Sequence, residues 1–129
     1  MDSGALARIL VAGDDEELVR GISICLRAAG YDCVTAPGRE EGFSRFQKGD
    51  TDLVITDVVM PDSDGFSMRE WIRQLSHVPI IVLTGYEQCR EPFLQDFPDI
   101  KCLLEPYNSE ELVRLVKAKL SGRDEPAVR

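Results

Sequence analysis

The feature that most constrains this chain is a series of short apolar runs, none long enough for a membrane span, separated by segments of helical periodicity. The runs are RILVAG (Arg8–Gly13), YDCVTA (Tyr31–Ala36), DLVITD (Asp52–Asp57), PIIVLTG (Pro79–Gly85) and IKCLLE (Ile100–Glu105). The first, third and fourth are nearly continuous Val, Ile and Leu, as expected of strands buried on both faces. Between the runs lie amphipathic stretches. Leu18, Ile22, Cys25 and Ala29 line one predicted helical face, and Gly30 supplies a stop. Phe43 and Phe46, then Met68, Ile72 and Leu75, then Leu112, Leu115, Val116 and Leu120 mark three more faces. The segment 87–96 holds Pro92 and predicts a short or irregular helix. Strands alternating with helices in this way predict a parallel sheet covered on both faces, joined by right-handed crossovers.

Composition narrows what such a sheet can do. A chain of 129 residues suffices for one core, and a formal charge of -8 repels phosphate backbones and anionic membrane surfaces. Direct binding of nucleic acid or membrane is therefore not expected. Cys25, Cys33, Cys89 and Cys102 have no CxxC spacing, and His77 is the single histidine, so a Cys/His metal site is not expected either. Reduced thiols and the absence of a leader pattern predict a cytoplasmic protein, or a cytoplasmic piece of a larger one. The domain is expected over residues 1–121, with 122–129 as a loose tail.

Open parallel sheets bind ligands beyond the carboxyl ends of their strands. At those ends stand Asp14 and Asp15 after the first run, Asp57 closing the third, Thr84 in the fourth and Glu105 closing the fifth. If the first and third strands are neighbours, three carboxylates converge there. Like charges about 4 Å apart repel by about 4 kcal/mol at an effective dielectric of about 20, so a hard divalent cation is the natural partner. Taken singly, Asp14 or Asp15 would be a helix cap and Asp57 a strand end.

ILVAGDDEE, DLVITDVVMPDSDG, IIVLTG and LLEPY together resemble the receiver domain of two-component response regulators, over almost the whole chain. The resemblance implies a flavodoxin-like fold: a five-stranded parallel sheet of order 2-1-3-4-5 with helices on both faces. It implies that Asp57 accepts a phosphoryl group from a histidine kinase or phosphotransfer protein. Mg²⁺ (or Mn²⁺) would be held by Asp15, Asp57 and the carbonyl of Val59, with Asp14 acting largely through water. Thr84 would contact the phosphoryl group, Pro61 and Gly65 would form the turn into the third helix, and the peptide before Pro106 would be cis. Partners implied are the phosphodonor, an output protein or domain, and a second copy in a homodimer. Limited self-catalysed phosphoryl transfer and dephosphorylation would be the extent of any enzymatic activity.

Two positions depart from the family pattern. Glu105 stands where the family has lysine, and Lys101, four residues back along a strand or roughly 13 Å, is at the wrong end to replace it. Cys102 stands where the family often has a switching Tyr or Phe. The competing reading is therefore a pseudo-receiver that binds partners independently of phosphorylation. A nucleotide hydrolase would need GxxxxGK[ST], which is absent. A flavodoxin would need a Ser/Thr/Gly-rich phosphate loop in place of AGDDEE, and a haloacid-dehalogenase-type phosphatase would need D-x-D after the first strand.

Overall fold

The computed structural model describes residues 6–57, 64–84, 100–104 and 107–123, with the side chains of 39, 57, 64–68, 84, 100, 104, 122 and 123 left aside. The order is β1 (Arg8–Ala12), α1 (Glu16–Ala28), β2 (Asp32–Ala36), α2 (Arg39–Gln47), β3 (Leu53–Asp57), α3 (Asp64–Arg73), β4 (Ile80–Thr84), β5 (Ile100–Leu104) and α4 (Ser109–Arg123). The strands form one parallel sheet of order β2-β1-β3-β4-β5, as expected. The segment 87–96 lies outside the described residues.

Alternation of side chains across the strands divides the core into two layers. Ile9, Val11, Cys33, Leu53, Ile55, Ile81, Leu83 and Leu103 face α1 and α4, meeting Val19, Ile22, Leu26, Leu112 and Val116. Leu10, Ala12, Ala36, Val54, Ile80, Val82 and Cys102 face the other side with Phe46 and Ile72. Both faces of β1, β3 and β4 are therefore buried, which is why those runs are continuously apolar. On the second side Phe43 lies against Phe46 and Trp71, with ring centroids 6.4 and 5.3 Å away respectively. Trp71 and Tyr107 are partly buried aromatics.

Three local expectations need correction. The buried face of α1 is Val19, Ile22, Ser23 and Leu26, turned by nearly one residue from the expected face. Leu18 and Cys25 only flank that layer, and Ala29, just past the helix, is exposed. Ser23 rather than Cys25 is the small residue turned inward, with Cys33 of β2 in the same layer. Leu75 is 59% exposed because α3 ends at Arg73 and the chain tightens, Leu75 and Ser76 both donating to the carbonyl of Ile72 at 2.8 Å. At the other terminus α4 continues through Arg123, two residues past the expected limit of 121.

The stop after α1 is as expected. Gly30, at φ 101°, donates to the carbonyl of Arg27 at 3.0 Å while Tyr31 donates to Leu26 at 3.1 Å, the paired bonds of a Schellman ending. This turn delivers the chain into β2. The amino-terminal edge of the sheet is tied by Arg8, whose amide and Nε donate at 2.8 Å to Asp52 Oδ2 and Asp32 Oδ2. The guanidinium pKa is raised by its hydrogen bond to Asp32 and the nearby acid charges.

Candidate functional site

Because every strand runs the same way, all carboxyl ends meet at one edge. Ala12 is the register partner of Thr56, Asp57 of Leu83, and Thr84 of Leu104. Asp14 and Asp15 thus leave the sheet beside the strand that ends in Asp57. With strands about 4.8 Å apart and a rise of about 3.3 Å per residue, the Cα atoms of Asp57 and Thr84 stand about 6 Å from each other. The switch of strand order also falls here: β2 lies on the far side of β1 and the chain then crosses back to β3, so the direction reverses at β1/β3, where such sheets open a crevice.

The two acids after β1 have different local tasks. Asp15 has an extended backbone (φ -89°, ψ 102°), and its Oδ1 accepts from the amides of Glu17 at 3.1 Å and Leu18 at 3.2 Å. It is the N-cap of α1, so one carboxylate oxygen is oriented by the helix. Asp14 is exposed, and its Oδ1 lies 3.4 Å from where a Cβ would stand on Gly38. The loop after β2 therefore approaches Asp14 at a residue with no side chain. The approach follows from the β1–β2 pairing, in which the amide of Gly13 donates to the carbonyl of Ala36 at 3.1 Å. Only the Pro37–Gly38 turn signal marked that loop in the sequence, and nothing there pointed to Asp14.

The other expected residues divide into those placed and those not. Asp57 and Thr84 are the last residues of β3 and β4. Gly65 is the second residue of α3, which opens at Asp64, an acid that suits the positive end of the helix dipole. Cys102 is buried within the α2–α3 layer, in register with Val82. Val59, Pro61, Glu105 and Pro106 lie outside the described residues.

Among the described residues no group of three His, Cys, Asp or Glu side chains comes together to hold a metal. Asp14 and Asp15 nevertheless supply hard oxygen donors of the type Mg²⁺ takes, at the edge where Asp57 ends its strand. No described helix is long and apolar enough to cross a membrane.

Residues 9–117 match the response regulator receiver domain. The chain belongs to that family. Among solved structures, this receiver domain is similar to a CheY-like response regulator receiver domain protein from Methanospirillum hungatei JF-1, with TM-score 0.82 and 25% identity over 94% of this chain and 98% of that one. It is also similar to the receiver domain of the hybrid histidine kinase CckA, with TM-score 0.73 and 29% identity over 88% of this chain and 99% of that one. Among curated proteins, the transcriptional regulatory protein RprY of Bacteroides fragilis is 34% identical over 93% of this chain and 52% of its own length. The CpxR homolog of Haemophilus influenzae, also a transcriptional regulatory protein, is 32% identical over 95% of this chain and 54% of its own. The receiver domain thus spans about half the length of the curated relatives it matches. It is a receiver domain of the response regulators of two-component systems.

Proposed function

We propose that this receiver domain transmits a signal by accepting a phosphoryl group on Asp57 from a histidine kinase or phosphotransfer protein. The observation that carries the reading is the register: β1, β3 and β4 end together, gathering Asp14, Asp15, Asp57 and Thr84 at one edge. A carboxylate oxygen of Asp57 attacks phosphorus, the bond from phosphorus to the donor nitrogen breaks, and the electron pair stays on that nitrogen. The protein's work is positioning and charge balance.

Asp14, Asp15 and Asp57, with the carbonyl of Val59, would hold Mg²⁺ or Mn²⁺, which when bound neutralises charge on the phosphoryl oxygens. Asp15 is held for this by its cap bonds to Glu17 and Leu18. Thr84 would donate its hydroxyl to a phosphoryl oxygen. Glu105, next after β5, supplies no cation, so phosphorylated Asp57 lacks one charge-assisted hydrogen bond, each worth about 1.5–3 kcal/mol. Output passes to a partner protein, to a further domain or to a second copy of the chain.

The test is intact mass after treatment with a small phosphodonor and Mg²⁺. One added phosphoryl group on the wild type, absent from Asp57→Asn, is expected. Addition that survives Asp57→Asn would overturn the assignment.

A further inference from the structure

A cleft outside the acid edge combines features that the phosphoacceptor reading does not use. It opens along the outer edge of β2, beneath α1, with a volume of about 390 Å³, and Arg20, Arg27, Arg45, Ser23, Thr35 and Glu16 line it. Three arginines line one cleft here in a chain whose formal charge is -8.

Two of the three are held in place. Arg27 Nη2 donates to the carbonyl of Cys33 at 2.7 Å. Arg45 donates to Glu41 Oε2 from Nε at 3.2 Å and lies 3.0 Å from it through Nη2. Most of their N–H donors remain for another acceptor, and a guanidinium already oriented loses less entropy when it binds. Even against Glu16 and Glu41 the cleft keeps an excess of positive charge. Thr35 adds a hydroxyl as a neutral donor, while that of Ser23 is turned to Cys33.

The edge of β2 sharpens the class of ligand. Asp32 and Ala36 bond to the β1 side through Ala7 and Gly13, so by alternation Cys33 and Thr35 direct their backbone groups to the open edge. An added peptide strand would need the Cys33 carbonyl, which Arg27 already covers. The cleft therefore favours a compact anion over an extended chain. Guanidinium forks match phosphate oxygens well, and three arginines lining one cleft suit more than one phosphate group.

We propose that this cleft binds a small condensed phosphate, either free or as the phosphate chain of a nucleotide. Gly13 also lines it, one residue before Asp14, so an occupant would sit beside the loop that carries the acids. The inference does not depend on phosphorylation of Asp57.

Calorimetric titration with inorganic triphosphate in EDTA tests it, because without a divalent cation the acid edge repels the probe. Saturable one-site binding tighter than about 1 mM is expected, weakened about tenfold or more in Arg20→Ala/Arg45→Ala and unchanged in Lys117→Ala/Lys119→Ala on α4. A folded double variant, checked by circular dichroism, makes the loss interpretable. Tighter binding of ATP than of triphosphate would identify a nucleotide, and equal binding a condensed phosphate; both support the proposal. It is overturned by no saturable binding, by equal weakening in both double variants, or by binding of an oligoglutamate peptide without triphosphate.

Discussion

Ala12 and Thr56 are partners across the β1–β3 pairing, and that register brings the residues just beyond them to one edge. Asp15 stands just past that edge and caps α1, so in the proposed metal site one side chain would carry two roles. The roles can be separated. Asp15→Asn keeps a good N-cap but removes the charge, whereas Asp15→Ala loses both. Urea unfolding of Asp15→Asn should match the wild type within about 0.5 kcal/mol, while Asp15→Ala should lose about 1 kcal/mol. Both should bind Mg²⁺ about tenfold or more weakly, read by the fluorescence of Trp71, the single tryptophan. Unchanged Mg²⁺ affinity in Asp15→Asn would leave Asp15 as a cap alone.

Glu105 follows the last residue of β5, whose register partner is Thr84. Replacing it by lysine adds an ammonium beside the proposed phosphoacceptor edge. Glu105→Lys should raise the steady-state fraction of phosphorylated Asp57 under a fixed phosphodonor, with a gain of about tenfold in the equilibrium if one contact of about 1.5 kcal/mol is restored. It should also lower Mg²⁺ affinity, since the added cation competes for the same acids. Identical behaviour of the two proteins in both measurements would remove Glu105 from the site.

The fold was legible because buried parallel strands write themselves as apolar runs. β1, β3 and β4 coincide with those runs to within a residue; the acids stand at the carboxyl ends of β1 and β3, and Thr84 at that of β4. Helix phase was harder to read. In α1 the sequence offers Leu18, Cys25 and Ala29 as well as Val19, Ser23 and Leu26, and small side chains let either face pass as apolar. Packing over β2 decides it, and that is tertiary information. Gly38 beside Asp14, and Arg20, Arg27 and Arg45 along one cleft, likewise depend on how separate elements pack.

The same difference can be weighed experimentally. Leu26 is fully buried whereas Leu75 is 59% exposed. Leu26→Ala should cost about 2–5 kcal/mol, for lost burial and the cavity left behind. Leu75→Ala should stay within about 0.5 kcal/mol of the wild type, because its side chain already meets water. Denaturant midpoints at constant m-value would report both. A large loss at Leu75 would mean that another surface covers it in solution.

Burial also sets how the fold responds to alkali. Cys33 is buried between β2 and α1, and burial pushes its thiol pKa above the ordinary 9.0, a shift opposed in part by a hydrogen bond with Ser23. Tyr31 is likewise pushed above 10.0 by burial. In the unfolded chain each group loses its proton at its ordinary value, while the folded chain still holds it. The unfolded state therefore binds fewer protons in that window, and stability falls as pH rises. The contribution of Cys33 is complete below pH 9.0 and is lost as pH climbs through its raised value. Tyr31 extends the loss to higher pH. Unfolding midpoints measured from neutral to strongly alkaline pH should stay level at first and then decline. Cys33→Ala should have a lower midpoint at neutral pH but a shallower decline just above 9.0, leaving the later fall due to Tyr31 in place. An equally steep decline in Cys33→Ala would show that its thiol ionises as freely in the folded chain as in the unfolded one.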